Sequence, residues 1–255
     1  MATEPVETPK PTRRERQRQA TLDEIVAVSR KLLTEPNGLS LRAVALQMGI
    51  TAPALYRYVS NYQDLVYLIA ADIDAENARL LASARDTQPD ADPAAQIVCT
   101  AIAFRSWALA HRAEFGLVFA NPVTADPVGH EAEIKEQQTG LVFTDLLARL
   151  WTKYQFPIPS VEDLDPAVRD TLDDPVIPAK VDTIPPEAKG LLWIFIRSWA
   201  ALYGTVTLEV FGHCDQRIIA SGSLFRSMLE DQAALLGITH ELPRLQPMID
   251  REMDR

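Results

Sequence analysis

The chain has 255 residues, 47% of them hydrophobic and 24% charged, with a net charge of −10. That is enough apolar side chain for a sizeable core in one or two domains. Ten glycines and 7% aromatics disfavour a turn-rich β-sandwich and favour helices. Two distant cysteines, Cys99 and Cys214, fit neither a zinc ribbon nor a disulfide scaffold, which points to the cytoplasm and to buried thiols. An evenly spread −10 would repel nucleic acid, but the charge is segregated: residues 1–62 hold nine Lys or Arg against six Asp or Glu, a net +3, and the remainder carries −13.

In chain order, residues 1–14 read as a disordered arm, Pro- and Thr-rich and basic at its end, with no apolar run of a secretory signal. From Glu15 to about Thr34, Leu22, Ile25, Val26, Ser29, Leu32 and Leu33 recur at helical spacing. Asn37 and Gly38 suit a left-handed stop, and Ser40 is placed to cap a short helix with Leu41, Val44, Ala45 and Met48 inward. Gly49 ends it, Ile50 plugs the corner, and Thr51 opens a third helix whose Pro53 falls in the first turn, where a missing N–H costs little. A longer helix over about 60–86, capped by Ser60 or Asn61, leads into a second domain. There follow a stripe at Ile97, Ala101, Phe104, Ala108 and His111, an aromatic pair Phe115 and Phe119, and a helix over 128–154. Seven prolines make 155–187 a long acidic loop. Residues 187–212 are apolar on nearly every face, which means burial by the chain itself and by a partner, with a membrane span as the rival reading. A last strong helix covers about 215–236, and 241–255 is a tail.

Two short helices joined at Gly49-Ile50-Thr51 are either a plain helical corner or a helix-turn-helix whose second helix enters the major groove of DNA. Ala52, Ala54, Tyr56 and Arg57 on the outward face favour the second: small residues permit close approach, and Tyr and Arg donate to phosphate or base edges. Residues 20–69, above all LSLRAVALQMGITAPALYRYVSNYQDLVYLI, resemble the N-terminal domain of the TetR family of bacterial transcriptional regulators. The resemblance implies that Arg42 reads a base from the bracing helix, that Ala52, Pro53, Ala54 and Tyr58 face the groove, and that Tyr56 binds phosphate. Tyr62 stands where many relatives place a phosphate-binding lysine. The candidate DNA-binding set is Arg13, Arg14, Arg16, Ser40, Arg42, Thr51, Ala52, Pro53, Ala54, Tyr56, Arg57, Tyr58 and Tyr62.

The segments FRSWALAHRAEFGLVFANPV (104–123) and WAALYGTVTLEVFG (199–212) resemble the WHG-type C-terminal domain of some TetR regulators, with Trp199 and Gly204 matching two of its naming letters and Tyr203 in place of the histidine. The implied architecture is all-α: an N-terminal helix-turn-helix domain over 15–62 and a helical ligand-binding and dimerisation domain over 63–240. The implied protein is a cytoplasmic repressor, nucleoid-associated when bound. As a homodimer joined through about 187–236, it binds a near-palindromic operator in double-stranded DNA and is released by a small-molecule effector.

Phe104, Trp107, Phe119, Phe143, Trp151, Trp193 and Arg197 are pocket candidates, although aromatic stripes at helical spacing are more often plain core. Arg105 shares with Arg197 the choice between holding a polar effector group and sitting in a salt bridge. Glu209 and His213, four apart, have metal-ligand spacing with His111 and His130 as conceivable partners, but the repeated Glu-x-x-His of a di-metal bundle is missing, so neither metal nor cofactor is expected. No nucleophile-elbow, P-loop, dinucleotide or zincin pattern occurs, so no catalytic residue is expected. The rival from another class is a helical ligand- or partner-binding protein whose DNA head has lost its function.

Overall fold

The computed structural model describes residues 12–35, 38–120 and 137–253, and all regular structure among them is α-helical or 3-10 helical, with no strand. The chain divides into two compact units, Met1–Asp72 and Ile73–Arg255. The bulk of the 1–14 arm, Asn37, His130, the Asn121-Pro122 stop and the first part of the 128–154 helix lie outside the described residues.

In the first unit, α1 (Arg13–Leu32) starts two residues earlier than its apolar stripe suggests. Thr12 and Glu15 form a capping box: Thr12 Oγ1 accepts from the Glu15 amide at 3.2 Å, and the Glu15 carboxylate accepts from the Thr12 amide at 2.6 Å. Arg13 and Arg14, expected in the arm, therefore form a helical turn. Ile25, Val26 and Ser29 face inward. In α2 (Leu41–Gln47), Ser40 Oγ accepts from the Ala43 amide at 3.2 Å, and Val44 and Ala45 are buried. The corner closes as a Schellman motif: Gly49 takes φ +68°, and the Ile50 amide donates to the Ala45 carbonyl at 3.0 Å. Glycine is needed there for its backbone and not for space, since an added Cβ would meet nothing within 4 Å. The third helix, α3 (Ala52–Leu55), is short and continues as tight turns to Val59, with Leu55 and Val59 anchoring it in the core.

The fourth helix, α4 (Tyr62–Arg85), crosses the division between the units. Asn61 caps it, accepting from the Asp64 amide at 2.9 Å, while the Asp64 carboxylate accepts from the Ser60 amide at 3.0 Å.

The second unit is built around α5 (Pro93–Ala110), which is buried on most of its circumference and packs against α6 (Arg112–Phe119), α7 (Gln138–Tyr154), α9 (Gly190–Val210) and α12 (Leu242–Met253). The expected tail is thus a helix: Leu245 and Ile249, four apart, are buried against α5, and Pro243 and Pro247 do not prevent it. The Pro-rich stretch is an ordered strap pinned by the buried side chains of Phe156 and Leu172, with α8 (Pro166–Thr171) and three 3-10 turns along it. Two shorter helices, α10 (Gln216–Ser221) and α11 (Ser223–Leu235), follow α9 where one continuous helix is expected; Gly222, at φ +64°, breaks it.

By length and composition Pro186–Val210 could cross a membrane. Its inner face nevertheless carries Leu191, Leu192, Ile194, Phe195, Leu202 and Val206 into the bundle, against α5, α7 and α11, as a core helix does.

Candidate nucleic-acid interface and ligand cavity

Along the helix-turn-helix, Arg42, Thr51, Ala52, Pro53, Tyr56 and Arg57 are exposed, and Ser40 and Ala54 are half-buried. The Thr51 hydroxyl makes no capping bond, unlike that of Ser40. Tyr56 and Tyr62 are 53% and 48% exposed, large aromatic surfaces for a unit this small. Tyr58, expected in the groove-facing set, is half-buried because Arg18 lies over its ring at 5.5 Å and also donates to the Arg57 carbonyl at 3.4 Å. Arg18 lies one turn after Arg14 on the same face of α1, so it brings a cation to the end of α3; that i, i+4 relation was the available sequence signal. Arg13, Arg14 and Arg16 are exposed on the first turns of α1. Leu46, one turn after Arg42, is 79% exposed and makes an apolar patch on the same helix that the hydrophobic stripe does not foretell.

In the second unit, a cavity of about 390 Å³ lies between α5, α7, α9, α11 and α12, with Val176, Ile177 and Pro178 of the strap as one wall. Of the seven pocket candidates only Phe143 lines it. Phe104, Trp107 and Phe119 belong to an aromatic core with Phe115, Phe143 and Trp199, in which Phe104 meets Phe119 edge-on at 5.5 Å and Trp199 at 5.7 Å. Trp151 and Trp193 are half-buried elsewhere, and Arg197 is exposed. Steric volume explains the difference. Aromatic side chains fill the space they face, whereas the cavity opens along earlier turns of α5, where Ile97, Val98 and Ala101 are shorter. Trp199 joins the two regions by lining the cavity as well. Tyr203, in the histidine position of the WHG resemblance, donates to the Phe119 carbonyl at 2.9 Å.

The strap is held down at two points on α7. Thr144 Oγ1 donates to the Pro178 carbonyl at 2.7 Å, and Gly140 leaves room for the Pro178 ring, since an added Cβ would lie 2.1 Å from its Cγ. The N-terminus of α7 is capped by a carboxylate from α4: Asp74 accepts from the Gln138 and Thr139 amides at 2.6 and 3.2 Å. Asn77 adds a bond to Thr139 Oγ1 at 3.0 Å.

Arg105 takes the salt-bridge alternative. Its Nε donates to Glu209 at 2.6 Å and its Nη2 to the Ile219 carbonyl at 2.9 Å, with the guanidinium 5.4 Å from the Phe225 ring. Both Glu209 oxygens face Arg105, and His213 is exposed beyond the end of α9, so the pair with metal-ligand spacing does not converge. Among the described residues no three His, Cys, Asp or Glu side chains form a metal-binding group.

Residues 97–232 match the family profile described as the tetracyclin repressor-like C-terminal domain, which is more than half of the chain. The chain belongs to the TetR family of regulators. The matched span runs from α5 into α11 and so includes most of the cavity wall, though not α12. Curated relatives bear out the breadth of the likeness. The HTH-type transcriptional regulators Rv1816 of Mycobacterium tuberculosis and Mb1846 of Mycobacterium bovis are each 28% identical over 192 residues, 74% of this chain and 80% of theirs. A crystal structure named for a regulatory role, SCO4313, superposes with a TM-score of 0.61 at 26% identity, covering 88% of this chain and 98% of that one.

Proposed function

We propose that this TetR-family chain is a transcriptional repressor that binds a near-palindromic operator as a homodimer and leaves it when a small molecule fills the cavity of the second unit. The observation that carries the DNA reading is the exposed set Arg42, Ala52, Pro53, Tyr56 and Arg57 on a helix-turn-helix whose inner face is fully used by Val44, Leu55 and Val59. In this reading residues 15–62 with the basic turn before them form the DNA head. Arg42 reads a base edge, Ala52, Pro53 and Ala54 allow close approach, and Tyr56 with Arg13, Arg14 and Arg16 holds phosphate. Ser40, Thr51, Arg57, Tyr58 and Tyr62 complete the interface, with Tyr58 supporting it under Arg18.

The dimer reading, through about 187–236, is supported by α9 and the residues after it. Leu208, Phe211 and Ile218 are 41–42% exposed, and a Cβ added to Gly204 would meet nothing within 4 Å. An apolar helix with one open side is covered by a second copy in a two-fold arrangement. The protein so described works in the cytoplasm, at the nucleoid when bound, and no catalytic step is assigned to it. Release follows if the effector binds a DNA-incompetent state more tightly than the competent one.

The test is selection of bound fragments from the genomic DNA of the source organism, followed by gel-shift titration across salt. A recovered palindromic site, bound with a steep negative log–log salt slope, carries the proposal; recovery of no sequence, or salt-independent binding, defeats it.

A further inference from the structure

We infer that the ligand of the cavity is an uncharged, largely apolar molecule carrying a hydrogen-bond donor such as a hydroxyl or amide, and that Ser198 and Gln232 are the side chains that read its polar group. The inference deepens the effector reading above and rests on it for the biological role of the ligand, though not for the chemistry of the site.

The lining residues come from five helices, the strap and the turn between α11 and α12, and none of them is Asp, Glu, Lys, Arg or His. An ionised ligand group would therefore be buried without a counter-charge, which is costly enough to exclude it. The two arginines that the sequence offers for this role are engaged elsewhere: Arg105 with Glu209, and Arg197 on the exposed face of α9. Against this apolar wall stand two buried polar atoms without a hydrogen-bond partner, Ser198 Oγ on α9 and Gln232 Oε1 on α11. Ser198 is only 8% exposed. A buried amide oxygen or hydroxyl left unpaired costs free energy, and nearly all such groups in native proteins are paired. In a helix, a serine or threonine hydroxyl usually turns back to the preceding turn's carbonyl, as Thr100 does here with Gln96 at 2.8 Å; Ser198 makes no such bond. A ligand hydroxyl or amide answers both kinds of group, donating a proton to the Gln232 amide oxygen and accepting one from the Ser198 hydroxyl. A cavity of about 390 Å³ lies within the size range of small-molecule sites.

Three biphenyls of nearly equal shape separate the possibilities: biphenyl-4-ol, 4-methylbiphenyl and biphenyl-4-carboxylate. Each is titrated calorimetrically into the full-length protein, without DNA, near neutral pH where only the carboxylate is ionised. The expected order is biphenyl-4-ol tightest, 4-methylbiphenyl about 3- to 10-fold weaker for the missing hydrogen bond, and the carboxylate at least about 100-fold weaker. Ser198→Ala and Gln232→Leu should each weaken biphenyl-4-ol selectively, by about 3- to 10-fold, and leave 4-methylbiphenyl unchanged or slightly tighter. Ala101→Phe, which fills the chamber from α5, should abolish binding of all three. Carboxylate binding within about tenfold of the phenol, equal weakening of all three probes by S198A and Q232L, or no binding by any probe would overturn the inference. If the phenol binds as expected but does not release the protein from a selected operator, the regulatory coupling fails while the ligand chemistry stands.

Discussion

Arg105→Met leaves the Glu209 carboxylate, whose side chain is 0% exposed, without the cation that pairs with it. The geometry sets the magnitude. The substitution removes the Nε bond at 2.6 Å, the longer Nη2 bond at 3.4 Å and the bond to the Ile219 carbonyl at 2.9 Å, while the methionine retains the packing on Phe225. Breaking a buried pair from one side costs about 3–5 kcal/mol, because the other charge stays desolvated. Burial already pushes the Glu209 carboxyl above its ordinary range, against the pull of the Arg105 hydrogen bonds and charge. With that pull gone the folded-state value rises further. A carboxyl whose folded pKa exceeds its unfolded value contributes most below the unfolded pKa, and loses that contribution as pH rises through the folded one. The deficit of R105M should therefore be largest near about pH 8 and shrink on acidification, by at most about 1.4 kcal/mol per pH unit for one proton. Urea unfolding followed by tryptophan fluorescence, at fixed protomer concentration, measures it. The companion R105M/E209L should recover most of the stability, since an apolar pair of similar volume replaces the ion pair. A deficit under about 1 kcal/mol at high pH, one that is flat with pH, or no recovery in the double variant would refute the argument.

Three further outcomes are expected. Arg42→Ala should relax sequence preference at one operator position at a cost of about 1–3 kcal/mol, whereas Arg13→Gln and Arg14→Gln should weaken binding to all sequences and flatten the salt slope by about 0.9 for each phosphate no longer neutralised; gel shifts on matched and mutated sites distinguish the two. Asp74→Ala removes the cap of α7 and should lower stability by about 1–2 kcal/mol in denaturant melts, with Asp74→Asn recovering part of it. Arg244→Ala should lower the melting temperature at neutral pH and lose that difference in acid. Burial alone would raise the Asp92 carboxyl, but Arg244 holds it below its ordinary range. Glu241 is lowered in the same direction by hydrogen bonds from Tyr154 and Arg244. Carboxyls with depressed folded values stabilise above their unfolded pKa near about 4 and stop doing so as pH falls through the folded ones. Equal deficits at neutral and acid pH would show that Arg244 acts through packing alone.

How far the chain could be read in advance depended on whether a signal was local. The first unit was legible because its devices span only a few residues: the Ser40 cap, the left-handed Gly49, Pro53 in a first turn, and the i, i+3, i+4 stripe that buries Val44 and Ala45. Even there, the start of α1 depended on Glu15 folding back on Thr12, a pair visible in the sequence only if the arginines between them are treated as helical. The cavity was not legible, because a cavity is a place where side chains are short, and no periodicity marks an absence. Hydrophobic pattern put Ala101 on the same stripe as Phe104, which fills the core, without marking the space beside it, and passed over Ser198 and the Val176-Ile177-Pro178 wall, which bound the empty space. The helix α12 carried its signal in Leu245 and Ile249, yet Pro243 and Pro247 beside them argued for a tail. Tertiary packing against α5 outweighs the backbone hydrogen bond that Pro247 gives up, as it does wherever a helix is stabilised more by its buried face than by its propensity. The polar atoms of the chamber follow the same logic. Ser198 and Gln232 are ordinary helical residues until the helices close around them, and only then does a hydroxyl or an amide oxygen become a buried group without a partner.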